Sequence, residues 1–84
     1  MNKPGPSKFS VQAFATDDLI WDKILETLSQ KEREEADKSE SEINEPYMGG
    51  KEIIVRRKDK TNIAFASLSE TNDNNDKWAV YREK

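Results

Sequence analysis

Residues 52–83, EIIVRRKDKTNIAFASLSETNDNNDKWAVYRE, decide the fold, because they contain three β-rich runs separated by polar turns. Apolar and polar side chains alternate in each run, as expected of strands with one buried face. The turn residues 59–62 and 72–76 are rich in Asp and Asn, which favour tight connections. The pattern predicts an antiparallel meander of three strands, and the runs are Glu52–Arg57, Asn62–Leu68 and Lys77–Glu83.

Alternation assigns each side chain of the meander to one of two faces. Six large apolar or aromatic residues are predicted to form the core face, namely Ile53, Val55, Ile63, Phe65, Trp78 and Val80. The opposite face is predicted to carry Ile54, Arg56, Leu68 and Tyr81. One helix can cover only one face of such a sheet, so the second face remains available for a partner.

An amphipathic helix is predicted before the meander, with apolar residues at helical spacing over residues 19–28. Thr16 provides an N-cap, and Asp17 and Asp18 place negative charge in the first turn. The apolar positions recur every three or four residues, which gives one buried helix face, and they are Ile20, Trp21, Ile24, Leu25 and Leu28. Oppositely charged residues four apart, such as Glu34 and Lys38, extend the helix prediction to about residue 37.

These elements predict a small α+β domain in which one N-terminal helix packs on a three-stranded antiparallel meander. Phe9–Ala13 alternates in the same way and is the candidate fourth strand. Residues 1–8, with two prolines and a glycine, are predicted to be a flexible arm before a single domain over 9–84. The acidic residues at about 38–46 are predicted to be a linker, since Ile43 is their only aliphatic side chain.

The composition argues against enzymatic function. The chain of 84 residues has no histidine and no cysteine, and thus lacks the commonest acid–base group and the thiolate nucleophile. It contains no glycine-rich phosphate loop, and zinc sites normally need the two missing residue types. We therefore predict no catalytic residues, no cofactor and no metal site.

Hydropathy and cysteine usage predict a cytoplasmic protein that does not enter a membrane. The sequence contains no run of eighteen apolar residues, and its mean hydropathy is −1.02. The first residues, MNKPGP, lack the apolar core of a signal peptide. A secreted domain of this size usually carries disulfides, which this chain cannot form.

Charge is distributed unevenly along the chain. Residues 1–46 hold eleven acidic and six basic side chains, whereas residues 47–84 hold six acidic and eight basic ones. The basic residues of the second half could contact phosphates beside stacked bases. The alternative interpretation is therefore a nucleic-acid-binding module that uses this sheet surface, which includes Lys51, Arg56, Arg57, Lys58, Lys60, Lys77, Arg82 and Lys84.

The preferred hypothesis is a non-enzymatic protein-binding module, such as a small regulator, adaptor or inhibitor of a phage or plasmid type. Such a module would dock on a larger macromolecule through its sheet face, or through a sheet edge by strand addition. A homodimer that completes its core across a two-fold axis is a third hypothesis. The candidate partner-binding residues are Ile54, Arg56, Arg57, Leu68, Tyr81 and Arg82.

Overall fold

The computed structural model describes residues 6–45, 50–72 and 75–83, which form an antiparallel sheet of five strands with helices on one face. The strands lie in the order β1-β5-β4-β3-β2. The elements are β1 (Ser7–Gln12), α1 (Asp17–Glu26), α2 (Gln30–Glu35), a 3-10 turn (Lys38–Glu40), β2 (Glu42–Asn44), β3 (Glu52–Arg56), β4 (Asn62–Asn72) and β5 (Asn75–Arg82). The α+β class is as predicted, but a count of three or four strands is too low.

Helix α1 begins and packs as its sequence predicts. The hydroxyl of Thr16 accepts a hydrogen bond from the backbone N–H of Leu19, which satisfies one of the donors left free at a helix start. Ile20, Trp21 and Ile24 are buried on one side of the helix, against the sheet. The spacing of three and four therefore forms the helical half of the core.

The helix does not continue to residue 37, because the chain turns at Thr27 and Leu28 and starts a second helix. Ser29 and Glu32 form a capping box: the Ser29 hydroxyl accepts from the Glu32 N–H, and the Glu32 carboxylate accepts from the Ser29 N–H. Helix α2 has no buried residue, so polar contacts hold it.

In the described ranges, no helix combines the length and the apolar character needed to cross a membrane.

The segment predicted as a linker at about 38–46 contains regular structure instead. Its residues 38–40 form the 3-10 turn, and Glu42–Asn44 is β2, which pairs with β3. The backbone N–H of Asp37 donates to the Arg56 carbonyl at 2.8 Å, and the N–H of Arg56 donates to Ser41 Oγ at 3.0 Å. Backbone pairing to β3 thus supplies the order that apolar patterning did not indicate, and residue 46 lies outside the described residues.

Strand β1 begins inside the predicted arm. Ser7 and Lys8 pair with Val80 and Ala79 of β5, so this edge strand is bound to the sheet from its first residue. Strand β1 is the candidate fourth strand predicted from the sequence, but it spans Ser7–Gln12 instead of Phe9–Ala13. Strand β2 is the fifth strand. Residues 1–5 of the predicted arm lie outside the described residues, as do residues 73 and 74 of the predicted 72–76 turn and Lys84 of the basic set.

A β-bulge changes which side chains of β4 face the core. Val55 pairs with Ala64 but the next residue, Arg56, pairs with Asn62, so Ile63 is an extra residue on β4. Alternation resumes one residue later than the sequence predicts. Phe65, predicted in the core, therefore lies on the face opposite the helices, and Leu68, predicted on that opposite face, packs against the core.

The core lies between α1 and one face of the sheet, which we call the inner face. Ala64 and Ala66 lie in this layer beside Ile53 and Val55, and all four are at most 1% exposed. Small alanines at the centre of the sheet let the helix side chains approach the strands closely. The core comprises Val11, Ile20, Trp21, Ile24, Leu28, Ile53, Val55, Ile63, Ala64, Ala66, Trp78 and Val80.

Candidate protein-binding surface

Three large side chains lie next to one another on the face of the sheet opposite the helices, which we call the outer face. Ile54 of β3 is directly opposite Phe65 of β4, and Phe65 is directly opposite Tyr81 of β5. The Phe65 and Tyr81 rings are tilted by 37° with centroids 6.4 Å apart, within the range of favourable aromatic pairs. We call these three residues the apolar row.

The apolar row is accessible. Tyr81 exposes 49% of its surface, and Ile54 and Phe65 are half-buried. The phenol ring of Tyr81 combines a large apolar area with a hydroxyl that can donate or accept a hydrogen bond. The row therefore supplies apolar contact area and one polar group on an open part of the sheet.

A second row crosses the outer face next to the apolar row. Lys8 of β1 is opposite Ala79 of β5, Ala79 is opposite Ser67 of β4, and Ser67 is opposite Glu52 of β3. We call this the Lys8–Glu52 row. It has a cation at one end, an anion at the other and two small residues between them, and three strand spacings separate the charges by about 14 Å.

An open groove of about 450 Å³ lies over β1 and β5, at the Tyr81 end of the apolar row. Most of its lining belongs to the outer face, and the whole lining comprises Lys8, Phe9, Ser10, Lys77, Trp78, Ala79 and Tyr81. The surface beside Tyr81 is thus concave rather than flat, which increases the area that a partner can contact.

Arg56 lies at the β2 side of the sheet, where it contacts an acid. Its guanidinium Nη1 lies 3.2 Å from Glu42 Oε1, and its Nε donates to Asn62 Oδ1 at 3.2 Å. Glu42 is directly opposite Ile54, so this ion pair borders one end of the apolar row. A charged rim beside apolar side chains is typical of protein interfaces.

Arg57, a predicted site residue, holds α2 against the sheet. Its Nε lies 2.9 Å from Glu35 Oε1, and its Nη1 donates to Thr61 Oγ1 and to the Asn62 carbonyl. The backbones of Arg57 and Ala36 also form a β-bridge. The structure gives this side chain a structural role, away from the apolar row.

Arg82, another predicted site residue, forms a two-pronged pair with Glu32 of α2. Its Nη2 donates to Glu32 Oε1 at 2.6 Å and its Nε to Oε2 at 3.2 Å. Partial burial acts to raise the pKa of the Glu32 carboxyl. The hydrogen bonds from Arg82 and Ser29 and the positive charge of Arg82 outweigh that effect and lower the pKa below its ordinary value.

Four basic residues of the second half of the chain bind acids of the first half. Lys51 Nζ lies 2.7 Å from Asp17 Oδ1, in addition to the pairs Arg56–Glu42, Arg57–Glu35 and Arg82–Glu32. Half of the eight basic residues of the second half are therefore paired with acids of the first half. Partly exposed pairs of this kind contribute little stability each, but they reduce the positive potential of the sheet.

Of the six residues predicted for the site, the structure brings Ile54 and Tyr81 into one row and places Arg56 near its end. Leu68 lies on the inner face opposite Trp78, and Arg57 and Arg82 contact α2. Sequence reasoning missed Phe65, because the bulge at Ile63 reverses the alternation. Lys8 and Glu52 were also missed, since only the strand order places them in one row.

Comparison of the chain with protein-family models, with curated proteins and with solved structures finds no match.

Proposed function

We propose that this chain is a non-enzymatic protein-binding module, a small regulator, adaptor or inhibitor, that docks on its partner through the outer face of the sheet. The observation that carries the proposal is the apolar row. Ile54, Phe65 and Tyr81 lie side by side on the face that α1 leaves uncovered.

The side-chain types of the row support protein binding. Affinity at protein interfaces is concentrated in a few large side chains that become buried, with aromatic residues enriched, and polar groups surround them. Tyr81 and Phe65 are such anchors, and the Arg56–Glu42 pair is the polar rim. Because both rings belong to paired strands, little conformational entropy is lost when a partner covers them.

Strand addition at β1 is a second route of the same class. β1 is six residues long and occupies one edge of the sheet, whereas β2 at the other edge has three residues. Backbone pairing at an edge adds affinity but discriminates poorly between partner sequences. The side chains of the outer face supply the selectivity, so the face is the primary contact of the proposal.

The nucleic-acid interpretation receives less support from the geometry. Arg56, Arg57 and Arg82 each contact a carboxylate, and a phosphate would have to displace it. Nucleic-acid affinity depends on positive charge that neutralises phosphates. We therefore expect no binding of DNA or RNA oligonucleotides at physiological salt.

The test compares truncations on the outer face with matched changes elsewhere. Ile54→Asp and Tyr81→Ala should abolish capture of the partner from native lysate, because they remove two accessible side chains that the partner would bury. Leu19→Asp and Phe14→Ala are the controls, since these residues are 44% and 96% exposed and lie outside the sheet. Circular dichroism checks that all four variants keep the fold.

Two results would contradict the proposal. One is capture that survives both outer-face changes, which would place the interface elsewhere. The other is sub-micromolar binding of the wild-type chain to an oligonucleotide at physiological salt, with affinity falling steeply as salt rises. The second result would establish the nucleic-acid interpretation instead.

A further inference from the structure

The Lys8–Glu52 row has an approximate two-fold pattern on the outer face. Its order across four strands is cation, small, small, anion, with Ala79 and Ser67 at the centre. In the neighbouring row, the same midline passes between Tyr81 of β5 and Phe65 of β4. The two sides of the midline between β4 and β5 therefore correspond. A small residue lies across from a small residue, an aromatic ring from an aromatic ring, and a cation from an anion.

We propose that the partner which fits this face is a second copy of the chain, packed sheet to sheet about a two-fold axis that runs along the strands between β4 and β5. This inference rests on the proposed function. Rotation about that axis exchanges β4 with β5 and β1 with β3. Lys8 then faces the partner's Glu52, and Glu52 faces the partner's Lys8, so both charges are matched twice.

The direction of the axis follows from the charges. A two-fold axis that crossed the strands along the Lys8–Glu52 row would stack each strand on its own copy. Lys8 would then face the partner's Lys8, and Glu52 would face the partner's Glu52. Like charges facing each other oppose association. Of these two arrangements, only the axis along the strands makes the face complementary to itself, as a two-fold interface requires.

The side chains between the charges suit the same axis. Tyr81 meets the partner's Phe65, and Phe65 meets the partner's Tyr81, which doubles the aromatic contact already present in one chain. Ala79 and Ser67 are small, so they do not hold the sheets beyond the spacing of about 10 Å that is usual for stacked sheets. Large and small rows therefore alternate across the contact.

The size of the face predicts a weak dimer. Four overlapping strands of about six residues cover roughly 400 Å² in projection at ordinary strand spacing. Stable interfaces bury about 800 Å² of accessible surface on each partner, so this contact lies at the low end. We expect dissociation in the micromolar range, and weaker association at high salt because the two charge pairs lie at the rim.

Charge reversal with mixing tests this particular axis. Lys8→Glu and Glu52→Lys should each weaken dimerisation by about tenfold or more, because each variant places like charges together twice. A mixture of the two variants should associate again, with a dissociation constant near that of wild type, because both contacts then join opposite charges. Sedimentation velocity over a concentration series measures the dissociation constants of wild type, of each single variant and of their mixture. One variant is fluorescently labelled in the mixture.

The double variant Lys8→Glu with Glu52→Lys should also dimerise, and circular dichroism should show that every variant is folded. Monomeric wild type up to about 1 mM would overturn the inference, because even weak specific dimers populate there. Single variants that dimerise like wild type, or a mixture that stays monomeric, would overturn it as well.

The proposed function survives such a failure if Ile54→Asp and Tyr81→Ala still abolish capture of a different protein. It fails too if neither variant changes any association. The dimerisation measurements therefore test whether the partner is a second copy of the chain. The capture measurements test whether the outer face is the binding surface.

Discussion

Removing the Trp78 side chain should strongly destabilise the protein. Trp78 is 1% exposed and stacks on Phe9 with ring centroids 6.1 Å apart and planes within 4°. Truncation of a buried tryptophan to alanine costs about 3–5 kcal/mol, and loss of the aromatic pair adds about 0.5–1.5 kcal/mol. The indole N–H of Trp78 is buried and has no hydrogen-bond partner among the described residues. Removing this unsatisfied donor recovers about 1 kcal/mol, which offsets part of the cost of the truncation.

The net cost of Trp78→Ala is therefore about 2.5–5.5 kcal/mol. A chain of 84 residues has a free energy of unfolding of about 4–13 kcal/mol, so this change consumes a large part of it. Urea unfolding followed by far-UV circular dichroism measures the loss directly. Tyr81→Ala removes a similar ring at an exposed site and should cost about 1 kcal/mol. If Trp78→Ala cost no more than Tyr81→Ala, the assignment of Trp78 to the core would be wrong.

Two further changes test the polar contacts that organise the first half of the chain. Ser41→Ala should cost about 1–2 kcal/mol in urea unfolding, because the part-buried Arg56 N–H loses its acceptor; an unchanged midpoint would show that β2 does not depend on this bond. Glu32→Gln should destabilise the fold near neutral pH. Because the folded pKa of Glu32 lies below its ordinary value of 4.5, the stabilisation that the ionised group provides is present above that value. It is lost as pH falls through the folded pKa, so the gap between wild type and Glu32→Gln should narrow in acid, and a constant gap would contradict this role.

The sequence predicts the parts of the fold that bury apolar side chains at regular spacing. Helix α1 with its Thr16 cap follows from local signals, and so does the core face of β3 with Ile53 and Val55. Strand β2 could not be predicted in this way, since Glu42, Ile43 and Asn44 are all exposed and leave no pattern of burial. Its order comes from backbone bonds to β3, which are a property of the assembled sheet.

The candidate surface was predictable only in part, for two physical reasons. Ile54 and Tyr81 follow from alternation within their own strands, and both reach the outer face. Phe65 and Leu68 exchange faces because a single extra residue, Ile63, shifts the phase of β4. The partners of Arg57 and Arg82 lie on α2, far away in the sequence, and no local sequence pattern predicts these contacts.

The pairing of β1 with β5 also determines the order in which the surface can be built. The hairpins that join β3, β4 and β5 close short loops, whereas Ser7 must find Val80 across almost the whole described chain. Closing the longer loop costs more chain entropy, and contacts of high sequence separation slow folding. We expect the meander to nucleate folding and β1 to join it last. Because β1 carries Lys8, the charge pattern of the outer face exists only once folding is complete, so partially folded chains do not present it.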